Sequence, residues 1–127
     1  MEQIKKFIEE QSKDLPVGTA ISFKDAEERS GEFLAALAAI TDWRHIFSKE
    51  KIKLLSIQNS TYAEQLSKCT GKTVTENKIT VEANKEYIKV RESLEDIEND
   101  INYLKAYYEI FMAAHIFYRQ MARGENA

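Results

Sequence analysis

The chain is expected to be all-α: a long antiparallel helical hairpin with a short N-terminal helix, oligomerising through helix packing. Two observations carry most of this. Glycine (4) and proline (1) are scarce in 127 residues, and a β-rich or loop-rich chain needs more turn-formers than that. The second is a run of Ala83, Tyr87, Val90, Leu94, Ile97, Ile101, Leu104, Tyr108, Phe111, His115, Tyr118 and Ala122, spaced by four and three throughout. Such spacing is the a/d seam of a helix that meets another helix lengthwise.

The first helix is expected over 2–13, with Ile4, Phe7, Ile8 and Gln11 on one side and Lys5, Lys6, Glu9 and Glu10 around the other. Pro16 and Gly18 then close it, because proline cannot continue a helix and glycine accepts turn conformations. Residues 14–22 read as a linker, with Ser22 or Asp25 as N-cap of the next helix. That helix is expected over 25–69, where Phe33, Ala36, Ile40, Trp43, Phe47, Leu54 and Ile57 recur at helical spacing. Tyr62, Leu66 and Cys69 continue the pattern with a slight shift of phase. A break near 41–50 is left open, so the stretch is one helix or two. Residues 70–78 are the expected turn, with Gly71 as helix C-cap and Thr73, Thr75 and Asn77 favouring turns and caps. A brief extended pairing of residues 73–75 with 79–81 is the alternative there. A single helix then runs over 80–123, about 65 Å long at the usual rise.

The flanks of the long seam change along its length. Glu92, Glu95, Asp96, Glu98 and Asp100 make a solvated acidic face, or a patch for a basic partner. From Tyr103 to Tyr118 apolar residues lie on almost every side. A helix apolar all round must be covered all round, either by the rest of the chain or by other copies. The oligomer interface is therefore expected at Tyr103, Leu104, Tyr107, Tyr108, Phe111, Met112, His115, Phe117 and Tyr118.

Composition narrows the function classes. One domain is expected in 127 residues. A hydrophobic fraction of 43% and a charged fraction of 31% suit a globular chain. The single cysteine, Cys69, cannot form an internal disulfide, which suits a reducing compartment. No apolar run follows the charges of Met1-Glu2-Gln3-Ile4-Lys5-Lys6, and no stretch of about 18 apolar residues occurs. The expectation is a cytoplasmic protein (in the host cell, if phage-encoded) without a membrane partner. Net charge is −3, unlike a polybasic nucleic-acid binder. The basic residues are nonetheless uneven: residues 61–91 hold six, against four acidic ones.

The catalytic and cofactor motifs fail. Gly71-Lys72-Thr73 resembles the end of a phosphate-binding loop, but Leu66 stands where another glycine is required and no strand precedes it. Asp42 with His45, and Glu109 near His115, do not supply the paired Glu-x-x-His motifs of a diiron bundle. His115, on the seam, reads as a buried histidine bonded to a tyrosine or as a specificity element. Cys69 reads as a small buried hydrophobe. No cofactor or metal is expected, and the chain is not expected to be an enzyme.

One resemblance adds to this. Trp43 lies on a helix leading through Leu66 to Thr70-Gly71-Lys72, and Ala83-Asn84-Lys85-Glu86-Tyr87-Ile88-Lys89-Val90 with Leu94 opens a long aromatic-rich helix. Over roughly residues 30–118 this layout resembles the bacteriophage recombination mediator proteins of the UvsY type. The resemblance implies a non-enzymatic oligomer that binds single-stranded DNA and helps a RecA-like recombinase replace the single-strand-binding protein. The family's basic Lys-Ala-Arg-Leu motif falls here on Ala63-Glu64-Gln65-Leu66, so the implied DNA contact moves to Lys68, Lys72, Lys78, Lys85 and Lys89. The alternative is a small helical adaptor or inhibitor that binds only protein.

Overall fold

Backbone hydrogen bonding closes four helices: α1 (Glu2–Ser12), α2 (Phe23–Ser67), α3 (Val74–Glu82) and α4 (Lys85–Ala122). The computed structural model describes residues 1–18 and 20–124, and no strand occurs among them. Position 19, in the expected linker, lies outside the described residues. The two long helices pack against each other as a hairpin. The chain divides into two compact units, residues 1–45 with 102–127 and residues 46–101.

In the first unit, α1, the first half of α2 and the second half of α4 share one core. Ile8, Phe33, Ile40, Leu104 and Phe111 are fully buried, with Ala26, Ala36, Leu37, Ala114 and Tyr118 around them. Phe33 meets Phe111 edge-on at 5.2 Å and stacks on Tyr118 at 5.9 Å between ring centroids. Phe7 of α1 meets Trp43 edge-on at 5.4 Å. Aromatic pairs of this kind add about 0.5–1.5 kcal/mol to the value of the area they bury. Gly18 adopts a φ of +78°, which lets the chain turn after Pro16 without a Cβ penalty. Ser22 is the cap of α2: its Oγ accepts from the Asp25 N–H at 3.1 Å.

α2 runs unbroken through 41–50, so that stretch is one helix. No proline interrupts it, and the Thr41 hydroxyl bonds back to the Leu37 carbonyl at 2.9 Å rather than capping a new segment.

In the second unit the reversal differs from the expected turn over 70–78. The loop is shorter, and Val74 begins α3, capped by Thr73 Oγ1 accepting from the Glu76 N–H at 3.1 Å. The Glu76 carboxylate reaches back to the Lys72 N–H at 3.0 Å, a variant of the reciprocal capping arrangement. Residues 73–75 and 79–81 therefore do not pair as strands. Gly71 is not a left-handed C-cap, since only Gly18 and Gly124 have positive φ among the described residues. Its lack of a side chain serves a close approach instead: a Cβ there would collide with Asn77 Oδ1 and crowd Glu76.

The helix expected over 80–123 is likewise divided. α3 ends at Glu82, Ala83 stays in the right-handed region at φ −87°, ψ −5°, and α4 starts at Lys85. Asn84 causes the restart. Its Oδ1 accepts from the N–H groups of Glu86 at 2.9 Å and Tyr87 at 3.2 Å, replacing two bonds that a continuous helix would make with its backbone. Its amide donates to Gln65 Oε1 of α2 at 3.1 Å, tying the start of α4 to the hairpin. From Tyr87 to Ala122 every seam position is buried or half-buried, whereas Ala83, outside the helix, is exposed.

Candidate nucleic-acid interface

Five lysines were singled out by the resemblance, and all five are exposed and belong to the second unit. Lys68 and Lys72 flank the loop that ends α2, Lys78 is on α3, and Lys85 and Lys89 stand one turn apart on α4. That spacing sets Lys85 and Lys89 side by side on one helix face. Lys68 is paired with Glu64 at 3.5 Å. Among the described residues Lys72, Lys78, Lys85 and Lys89 form no ion pair. Four ammonium groups are thus free to meet an anion.

Tyr87 and Tyr62 meet edge-on at 5.7 Å, and both are half-buried. Tyr87 lies about half a turn away from Lys85 and Lys89 around α4, so it faces the hairpin rather than the lysines. The arrangement can engage a phosphate backbone through charge but offers no base-stacking platform beside it. Specificity for base sequence is not built into it.

The expected oligomer interface on α4 is largely interior. Leu104, Phe111 and Tyr118 belong to the core of the first unit, so they cannot face another copy. Tyr103, Tyr107, Tyr108, Met112, His115 and Phe117 are half-buried. Five of them are engaged within the chain: Lys5 lies over the Tyr103 ring, Arg44 lies over Tyr108, Tyr107 meets Phe111 edge-on, Phe117 meets Tyr118 edge-on, and His115 bonds to Ser30. The reason is coverage within the chain from two directions, by α1 and by α2.

His115 bonds to a serine, not to a tyrosine. Its Nδ1 lies 2.9 Å from the Ser30 carbonyl oxygen and 3.2 Å from Ser30 Oγ. A carbonyl only accepts, so Nδ1 carries the proton and donates. Tyr118 is the other polar anchor. Its hydroxyl donates to the Asp14 carbonyl at 2.6 Å and accepts from Arg29 Nη1 at 3.1 Å. That bond to Tyr118 raises the Arg29 pKa above its ordinary value, partly opposed by desolvation. Burial, with lesser repulsion from Tyr107 and Glu9, pushes the Tyr103 phenol up. Arg29 and Tyr118 also line a shallow cleft with Pro16, Val17, Phe117 and Met121.

Among the described residues no group of three or more His, Cys, Asp or Glu side chains could hold a metal ion. No helix there is long and apolar enough to cross a membrane. Asp42 and His45 are exposed, and Cys69 is half-buried, its Sγ donating to the Gln65 carbonyl at 3.4 Å.

Sequence reasoning missed a second feature. On α2 in this unit the residues turned inward are Phe47, Lys51, Leu54, Gln58, Thr61, Tyr62 and Gln65, whereas Ile52, Leu55, Ile57 and Leu66 are exposed. Ile57 and Leu66, assigned to the inward face, are not on it. The shift of phase after Ile57 was the signal: Tyr62 returns to the inward side against Tyr87, while Leu66 lies on another face.

Comparison with family models, curated proteins and solved structures finds no match to this chain. Function therefore has to be argued from its own residues.

Proposed function

We propose that this protein is a non-enzymatic recombination or replication accessory factor that binds single-stranded DNA and a RecA-like recombinase and acts as an oligomer. The observation that carries the reading is the set of unpaired exposed lysines at one end of the second unit, Lys72, Lys78, Lys85 and Lys89. Four cations without intramolecular partners hold counterions in solution, and a nucleic-acid backbone gains by releasing its own when they replace them. The resemblance to UvsY-type mediators, centred on Ala83 to Val90, supports the choice of single-stranded DNA and a recombinase over other polyanions and partners.

The net charge of −3 makes one patch a weak ligand. Oligomerisation repeats it, and contacts to one strand then add through effective concentration. The test is fluorescence anisotropy of a labelled single-stranded oligonucleotide at low salt, repeated with Lys72, Lys78 and Lys85 replaced by alanine. The expected result is binding that the triple substitution abolishes. Absence of binding by the unmodified chain at low salt would overturn the reading. It would promote the adaptor alternative, for which the exposed Glu92, Glu95 and Asp96, unpaired among the described residues, offer a face to a basic partner.

A further inference from the structure

In the first unit, the linker between α1 and α2 and the last turns of α4 enclose a small cleft. Gly18, at a φ of +78°, turns the chain after Pro16, and the Tyr118 hydroxyl donates to the Asp14 carbonyl at 2.6 Å. That bond fixes the linker against α4. Pro16, Val17 and Ala20 line the cleft on the linker side and Phe117, Tyr118 and Met121 on the α4 side, with Arg29 of α2 as its one charged side chain.

Size and lining together suit an aromatic ring. The cleft holds about 170 Å³, and apolar space of about 150 Å³ takes a molecule of benzene. Two aromatic side chains and a thioether meet a ring favourably at its edge or face. Phe117 and Met121 are only half-buried, and Val17 is 77% exposed. A ring in the cleft would therefore take apolar surface out of water.

Arg29 adds a charge that the chain leaves open. Its Nη1 donates to the Tyr118 hydroxyl at 3.1 Å, and its guanidinium lies over the Tyr118 ring, 5.6 Å from the centroid. A guanidinium carries five N–H donors, and among the described residues the others have no protein partner. Asp14 and Asp25 lie near enough to raise its pKa, but neither forms an ion pair with it. The fork is thus held still by Tyr118 and open to a planar acceptor. A carboxylate matches it with two parallel hydrogen bonds, and that contact outweighs more distant charges that solvent screens.

We propose that this cleft binds a small carboxylic acid built on a single aromatic ring, of the arylacetate class. The ring fills the apolar space and the carboxylate meets Arg29. A neutral ring leaves the fork unpaired, an anion without a ring leaves the apolar space empty, and a many-ringed acid exceeds the volume. Few atoms make contact, so the dissociation constant is on the order of 1 mM. The site is independent of the proposed DNA contact, since none of the five lysines lies in the first unit.

An NMR titration of the full chain with phenylacetate, carried to about 20 mM so that a site of the expected strength saturates, is the test. The expected result is saturable shifts at the amides of Val17, Ala20 and Met121. Phenylacetamide keeps the ring and loses the charge, and acetate keeps the charge and loses the ring. Each should bind at least about tenfold more weakly than phenylacetate. Arg29→Gln should weaken phenylacetate by a similar factor. Ala20→Phe, at an exposed position lining the cleft, should abolish binding by filling it. Circular dichroism checks that both variants keep the helical content of the parent. On the parent chain, no saturation, shifts confined to the second unit, or equal affinity for phenylacetamide or acetate would each overturn the proposal, whatever the variants do. Phenylacetate binding that a folded Arg29→Gln variant leaves unchanged would overturn it as well.

Discussion

Replacing Lys85 and Lys89 together by alanine gives the most direct measure of how the proposed DNA contact is built. The two are exposed, unpaired among the described residues and one turn apart on α4, so truncating them removes charge without disturbing the core. If Lys72, Lys78, Lys85 and Lys89 each neutralise one phosphate, the slope of log affinity against log salt is about −2.8 for a single strand. Affinity then falls about 50-fold between 50 and 200 mM salt. The double substitution leaves two contacts, a slope of about −1.4, and a loss of about 7-fold over the same range. Lys68→Ala is expected to change the slope less than any of the four, because Glu64 at 3.5 Å already offsets its charge. Anisotropy titrations of a labelled oligonucleotide at four or more salt concentrations read the slope directly. An unmodified slope shallower than about −1, or one that Lys85→Ala with Lys89→Ala leaves unchanged, would refute the assignment of these lysines to phosphates.

Other expectations concern the fold that holds this patch. Phe111→Ala, at a fully buried ring contacting Phe33 and Tyr107, should destabilise the chain by about 3–5 kcal/mol in urea unfolding. An unchanged midpoint would return that residue to the surface. Asn84→Ala removes two cap bonds of α4 and should cost about 1 kcal/mol, read by the same unfolding curves. Gly71→Ala drives a methyl group into Asn77 Oδ1, so the loop must shift and thermal stability should drop. A variant as stable as the parent would mean that the close approach is not tight. Burial holds the Tyr103 phenol above its ordinary value of about 10. Its contribution to stability is present below about pH 10 and lost as pH rises through the higher folded value. Ultraviolet titration should show a late-ionising tyrosine that Tyr103→Phe removes.

The sequence by itself determined that the chain is helical, where its principal seam runs and which positions on α4 are turned away from water. Eleven seam positions from Tyr87 to Ala122 are all at least half-buried, because a four-three repeat without glycine or proline leaves a helix only one way to bury its apolar stripe. The cap at Ser22 and the turn at Pro16 and Gly18 were legible for a local reason: each rests on the chemistry of its own few residues. The break at Ala83 and Asn84 was not. It contains neither glycine nor proline, and the cap chemistry of Asn84 was masked by the unbroken four-three spacing that runs through it.

Coverage was likewise decided by tertiary structure. An all-round apolar helix states that it is covered and does not state by what, so Leu104, Phe111 and Tyr118 read as an interface until α1 and α2 are seen around them. The reverse holds for α2 in the second unit. Periodicity there could be read along two faces, and only the position of α4 shows that Phe47 and Leu54 turn inward while Ile52, Leu55 and Leu66 are left in water. Helical period is a property of one chain segment. Which face meets a partner depends on contacts between residues far apart in sequence, and no local pattern encodes those.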